Sequence, residues 1–243
     1  RLQPIFELDS VFRTMFVEEA RVASTLRHRH IVALLGAGHT PDGRPYHALQ
    51  WVHGVDLARF VDWHHDDQRP TPWRLVTRIM AHALRGLAAA HDRCDASGAL
   101  SPVYHRDVSP GNVLCDVTGI ARLADFGVAK AMDRASMTMP GLLKGKLGYS
   151  APEALRGTPA SVQSDLWSAG VVFWEALTAE RLFGAKGTPQ LLDKLKAPVP
   201  SLAERRPDVP GEIAALVHDL LAKKPDERPA SAAETAGWLE SQL

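Results

Sequence analysis

Two short stretches of this chain hold side chains that could do chemistry together. The first is Tyr104-His-Arg-Asp-Val-Ser-Pro-Gly-Asn-Val-Leu, ending at Leu114; the second is Ala124-Asp-Phe-Gly, ending at Gly127. They place a candidate base, Asp107, and two candidate metal ligands, Asn112 and Asp125, on neighbouring loops. A carboxylate within reach of a hydroxyl can orient it and accept its proton. A second carboxylate beside an amide oxygen is a donor pair that suits a cation.

The first stretch resembles the catalytic loop of the eukaryotic-like protein kinases, and the second that family's metal-binding loop. The wording of Asp107-Val-Ser-Pro-Gly-Asn is similar to the bacterial Ser/Thr branch. The resemblance implies transfer of the ATP γ-phosphate to a Ser or Thr hydroxyl of a protein substrate, with ATP and Mg2+ as cofactors. Such chemistry needs charge control and positioning more than covalent help. Asp107 would orient the hydroxyl, and Asn112 and Asp125 would hold Mg2+ against the phosphates. Arg106 would bind a phosphate on the activation segment, because a guanidinium makes paired bonds to it. The segment from Asp125 to Glu153 offers Ser136 or Thr138 for autophosphorylation.

The bulk composition permits this reading and narrows the alternatives. A chain of 243 residues, 45% hydrophobic, can bury a sizeable core in one domain or two packed lobes. Lys plus Arg and Asp plus Glu both number 28, so no global charge steers the chain toward nucleic acid or an anionic membrane. Cys94 and Cys115 lack metal-ligand spacing and the density of a disulfide scaffold, which points to a reducing compartment and a cytoplasmic location. No apolar run has the length of a membrane span.

The elements that must position the site follow from periodicity and from the resemblance. Phe12, Phe16, Ala20, Ala23 and Leu26 recur at helical spacing, and the resemblance makes this segment the regulatory helix αC. Glu19 would pair with a lysine on the family's third strand, with Glu18 as the register alternative. His28 and His30 have no third ligand at helical or hairpin spacing, so a metal site there is rejected. Tyr46 to Val52 reads as a strand entering a hinge. There Leu49 would line the back of the nucleotide pocket, while the Gln50 carbonyl and the Val52 amide would meet the adenine edge. Asp56 could reach a ribose hydroxyl or could cap the helix starting at Leu57. A long helical pattern runs from Thr71 to His91 through Leu75, Ile79, Ala83, Leu84, Leu87 and Ala88. Leu114 would pack beneath the adenine ring.

Downstream, the same resemblance implies that Ala151-Pro-Glu closes the activation segment and that Asp165 opens a helix whose aspartate accepts backbone hydrogen bonds from the catalytic loop. Arg228 would form a buried ion pair with Glu153. Ser231, with Glu234 three residues on, has the form of a capping box. The expected fold is α+β and kinase-like. It is bilobal, with residues 1–51 forming a partial small lobe (αC and the family's fourth and fifth strands, the first three missing). Residues 52–243 form a complete helical lobe.

Two departures from the family stand out. No glycine-rich phosphate loop precedes Glu19, and the first lysine in the sequence is Lys130. The chain is therefore expected to be a fragment of an intact kinase, binding ATP poorly by itself, or else a pseudokinase or kinase-like signalling scaffold. Second, Ser109 stands where the family places a lysine and Lys146 where it places a threonine. Lys146 could supply the cation beside Asp107 while Ser109 takes the hydroxyl role, or Lys146 could simply face solvent.

Overall fold

The computed structural model describes residues 10–67, 69–126, 147–183 and 196–243, with side chains from Phe16 onward. Its first helix, α1 (Ser10–Ala23), packs against two antiparallel strands, β1 (Leu34–His39) and β2 (Pro45–Leu49). The strands are joined by the Thr40-Pro-Asp-Gly-Arg turn, where Gly43 takes a φ of 79°. Burial alternates along β1, as expected for a sheet wetted on one face.

The chain then forms a strand that periodicity did not announce. β3 (Gly54–Asp56) pairs antiparallel with β4 (Val113–Asp116), which pairs with β5 (Ala121–Leu123). Three residues are too few for a period to show. Gly54 explains how the strand fits, because a Cβ there would lie 1.9 Å from the Cys115 carbonyl oxygen. Only glycine lets the two backbones approach this closely.

The helical mass comprises α2 (Leu57–Asp66), α3 (Trp73–His91), α4 (Pro152–Leu155), α5 (Val162–Thr178), α6 (Leu202–Arg205), α7 (Gly211–Leu220) and α8 (Ala232–Ser241). α5 is hydrophobic nearly all round and lies at the centre, with Leu166, Trp167, Phe173, Trp174 and Leu177 buried. Each such side chain contributes about 1.5–3 kcal/mol on leaving water. Its start is fixed by a capping box in which Ser161 and Ser164 exchange side-chain to backbone bonds. α3 packs against α5, α8 and β5.

The inward stripe of α3 is Val76, Ile79, Met80, Ala83, Leu84 and Leu87. Leu75, expected on that stripe, faces solvent, because the 3.6-residue period leading to Ile79 and Ala83 passes through Val76. Ser231 caps α8 by accepting from the Glu234 amide at 3.1 Å, the acceptor half of the expected box. The α+β architecture expected from the sequence is the one observed.

Candidate active site

Asp165 organises the catalytic loop from below. It sits in the first turn of α5, 1% exposed. Its Oδ2 accepts from the His105 amide at 2.8 Å and from His91 Nε2 at 2.9 Å, and its Oδ1 accepts from the Arg106 amide at 2.9 Å. These backbone contacts are the ones the sequence led us to expect. Their cause is local: Arg106 has a φ of 64°, a left-handed conformation that turns its N–H away from regular pairing. A buried carboxylate satisfies the donors that result.

His105 ties this loop to the second one. The ring is fully buried and tilted against Phe126 at 4.5 Å. Its Nε2–H donates to the Ala124 carbonyl at 3.1 Å, while its Nδ1 accepts from the Asp107 amide at 3.3 Å. Burial pushes its pKa down, in keeping with a neutral ring that donates on one side and accepts on the other. Ala124 is held again through its amide, which donates to the Asn112 carbonyl at 2.9 Å. Asp125 follows directly, exposed and with a φ of 55°. Two of the three positive-φ non-glycine residues described are thus Arg106 and Asp125, each costing of order 1–3 kcal/mol.

Between the loops, Asn112 Nδ2 donates to the Asp107 carbonyl at 2.8 Å and to its carboxylate Oδ2 at 3.1 Å. With the nitrogen so committed, Asn112 directs its Oδ1 as the acceptor end. A divalent cation held by one amide oxygen and one carboxylate, with phosphates completing its shell, is the usual way Mg2+ is bound. Among the described residues no three His, Cys, Asp or Glu side chains form an all-protein metal cage, and such a shell needs none. The oxygen donor set therefore fits Mg2+. His30 Nδ1 bonds the Ala121 carbonyl at 2.9 Å, and its ring stacks on His82.

The candidate nucleotide contacts gather along the hinge. Among the described residues, nothing hydrogen-bonds the Gln50 carbonyl or the Val52 amide, whereas the Gln50 amide donates to Ala33 at 2.8 Å. Leu114 lies on β4 directly opposite Asp56 on β3. Asp56 caps α2, its Oδ1 accepting from the Arg59 amide at 2.8 Å, so the capping alternative is the one formed here. Leu49 ends β2 and is 45% exposed, an open wall rather than a buried back surface.

At the αC position, Glu18 is spent on an exposed pair with Arg21 at 2.8 Å, while Glu19 is half-buried. Ser109 is buried and its carbonyl accepts from the Asn112 amide at 3.0 Å. Lys146, Ser136 and Thr138 lie outside the described residues. Glu153 and Arg228 form the expected bidentate pair at 2.6 and 2.9 Å.

The roles of His105 and His91 were not legible beforehand. His91 ends the inward stripe of α3, which was the available signal, but its partner on α5 is 74 residues away. A third group also went unforeseen. Glu175 accepts from Tyr149 Oη at 2.7 Å, from the Leu182 amide at 3.0 Å and from Arg181 at 3.0 Å. Burial raises the pKa of both Tyr149 and Glu175.

Two loops with strained residues, latched by a buried histidine, carry the carboxylates of Asp107 and Asp125 and the amide of Asn112. Residues 7–237 match the family described as "Protein kinase domain". The chain belongs to the protein kinase family. It is 33% identical over 244 residues to the tyrosine-protein kinase MasK of Myxococcus xanthus, covering 100% of this chain and 38% of that protein. It is also 33% identical over 239 residues to the probable serine/threonine-protein kinase pknA2 of Bifidobacterium longum, covering 95% of this chain and 30% of the relative. The chain thus spans well under half of either relative. Among solved structures, the kinase domain of Mycobacterium tuberculosis PknI (C20A mutant) is similar, with a TM-score of 0.68 and 25% identity. That match covers 99% of this chain and 82% of the other.

Proposed function

We propose that this domain transfers the ATP γ-phosphate to a Ser or Thr hydroxyl of a protein substrate. The observation that carries the reading is that Asn112 bonds Asp107 and that Ala124, the residue before Asp125, is fastened to Asn112 and His105. Mg2+·ATP, when bound, supplies the transferable phosphoryl group and the charge that offsets its oxygens. Asp107 accepts the hydroxyl proton and aims the oxygen in line. Asn112 and Asp125 would hold the cation, and the Gln50 carbonyl, the Val52 amide and Leu114 would hold the adenine. Leu49 lines the entrance, and Asp56, already engaged as a cap, contributes less to ribose binding. Glu19 anchors a lysine, and Arg106 receives a phosphate at Ser136 or Thr138. Lys146 and Ser109 share the cation and hydroxyl roles beside Asp107.

Serine/threonine preference rests on the Asp107-Val-Ser-Pro-Gly-Asn wording and on relatives such as pknA2, against the tyrosine-kinase name of MasK. No lysine precedes Lys130 in these 243 residues, so by themselves they are expected to transfer phosphate hardly at all. The alternative class is a kinase-like scaffold without turnover. No described helix is long and apolar enough to cross a membrane, and a cytoplasmic setting is part of the proposal.

The deciding experiment measures radiolabel transfer from ATP to a Ser/Thr protein substrate by the whole protein that contains this domain. Mg2+-dependent transfer that falls at least a hundredfold in Asp107→Asn supports the enzyme. Nucleotide binding with no transfer in the unsubstituted protein assigns it to the scaffold class.

A further inference from the structure

On the side of α3 facing the segment after α1 lies a concentration of cationic groups that the phosphotransfer reading does not use. Arg78, His82 and Arg85 stand at positions i, i+4 and i+7 of α3, one stripe of the helix about 10 Å long. Facing them is the His28-Arg29-His30 segment. Its backbone is pressed onto the helix at Gly86, where a Cβ would lie 2.5 Å from the His30 carbonyl oxygen.

The rings of His30 and His82 stack at 4.2 Å with 17° between planes, and His28 lies 5.4 Å from His30. The two stacked rings bond the two backbone groups of one residue, Ala121. His30 Nδ1 donates to the Ala121 carbonyl at 2.9 Å, and His82 Nδ1 accepts from the Ala121 amide at 3.3 Å. Those bonds leave the Nε2–H of His82 as a donor.

The surrounding charges do not balance. Arg29 is within electrostatic reach of all three rings, Arg78 of His82, Arg85 of His28 and Arg122 of His30. The facing carboxylates are Glu240 of α8, bound by Arg85 at 2.9 Å, and Asp116, bound by Arg122 at 2.6 Å. Four guanidinium groups against two carboxylates leave a surplus of two, carried by Arg29 and Arg78, both exposed and without a carboxylate partner among the described residues. Burial and these cations together depress the three imidazoles. An arriving dianion would relieve that repulsion and let the rings take up protons.

We propose that Arg29, Arg78 and the edges of His28 and His82 form a binding site for a phosphoryl-class dianion. The site is too small for a polyanion, since nucleic-acid binding draws on roughly 6–10 phosphate contacts and the chain as a whole has no net charge. One tetrahedral oxyanion matches two guanidinium groups and a ring N–H. Its source is either free phosphate or a phosphorylated side chain of a protein segment. The inference does not depend on the catalytic reading.

The test follows the histidine ring resonances of the chain by NMR during titration with inorganic phosphate and, separately, with a short phosphoserine peptide and its unphosphorylated form. Saturable shifts of His28 and His82 are expected, with the His82 pKa rising on saturation. Arg29→Ala and Arg78→Ala together should weaken binding at least tenfold, with unchanged circular dichroism because both side chains are on the surface. Binding of the phosphopeptide at least tenfold tighter than inorganic phosphate supports the site with a protein-borne source, and equal binding supports it with free phosphate. Ring shifts that do not saturate, affinity unchanged in the double variant, or tighter binding of a short DNA duplex or anionic vesicles than of either phosphate probe would overturn the proposal.

Discussion

Replacing Asp165 by asparagine changes one oxygen to an NH2 group with almost no change of shape, in a place where three donors converge. Oδ2 serves the His105 amide and His91, and Oδ1 serves the Arg106 amide. Whichever way the asparagine amide turns, its nitrogen opposes at least one catalytic-loop N–H. The cheaper orientation sets it against Arg106 alone. A buried donor left unpaired costs about 1–3 kcal/mol, and bonds to a charged acceptor are worth more than neutral ones. We expect Asp165→Asn to destabilise the fold by about 2–4 kcal/mol, or about 4–16 °C in melting temperature for a domain of this size.

The assay is urea unfolding paired with amide hydrogen exchange at residues 105–107, where protection should fall by more than the global change alone. A midpoint within about 0.5 kcal/mol of the unsubstituted chain, the ordinary scatter of surface substitutions, would refute the reasoning. So would protection at 105–107 that falls only in step with the whole domain.

Three further outcomes follow from named contacts. Glu153→Gln leaves the buried Arg228 guanidinium without its bidentate partner and should cost about 3–5 kcal/mol; chemical denaturation will show this, and a loss below 1 kcal/mol would contradict it. His82 titrates at about 4 in the folded chain against 6.5 when unperturbed, because burial and then the neighbouring cations oppose its charge. The unfolded chain therefore takes up the proton first, so stability is full above pH 6.5 and drains as pH falls toward 4. The bound is about 3 kcal/mol at 1.4 kcal/mol per tenfold, reduced to about 1–2 because the half-buried ring stays partly hydrated. His82→Asn should flatten that window in melting curves from pH 7 to 4, and an unchanged slope would remove His82 as the cause. Gly54→Ala must push β3 off β4 and should lose about 2 kcal/mol or more together with nucleotide affinity, which calorimetry of both properties can check.

Much of the catalytic geometry was legible because it is carried by residue types that have few alternative uses. Asp165 and the Glu153–Arg228 pair were legible through the family resemblance, and their pairing agrees with the need of a buried charge for a partner. The helix stripes were legible too, apart from Leu75, where an apolar residue one step off the period was mistaken for part of it. β3 is too short to show a period, and only the close approach at Gly54 reveals its place. The histidines were the least legible. His91, His105, His30 and His82 each bond a group between 19 and 91 residues away, and an imidazole tied to one distant group leaves no pattern in its own neighbourhood.

The central claim is that one cation–nucleotide complex touches both loops at once. Mn2+·ATP, a paramagnetic stand-in for the magnesium complex, broadens amide resonances near the metal and so reports this directly. The account predicts simultaneous broadening at Asn112 and Val113 and at Ala124 to Phe126, abolished on both loops by Asp125→Asn. Broadening confined to one loop, or persisting unchanged in that variant, would contradict it.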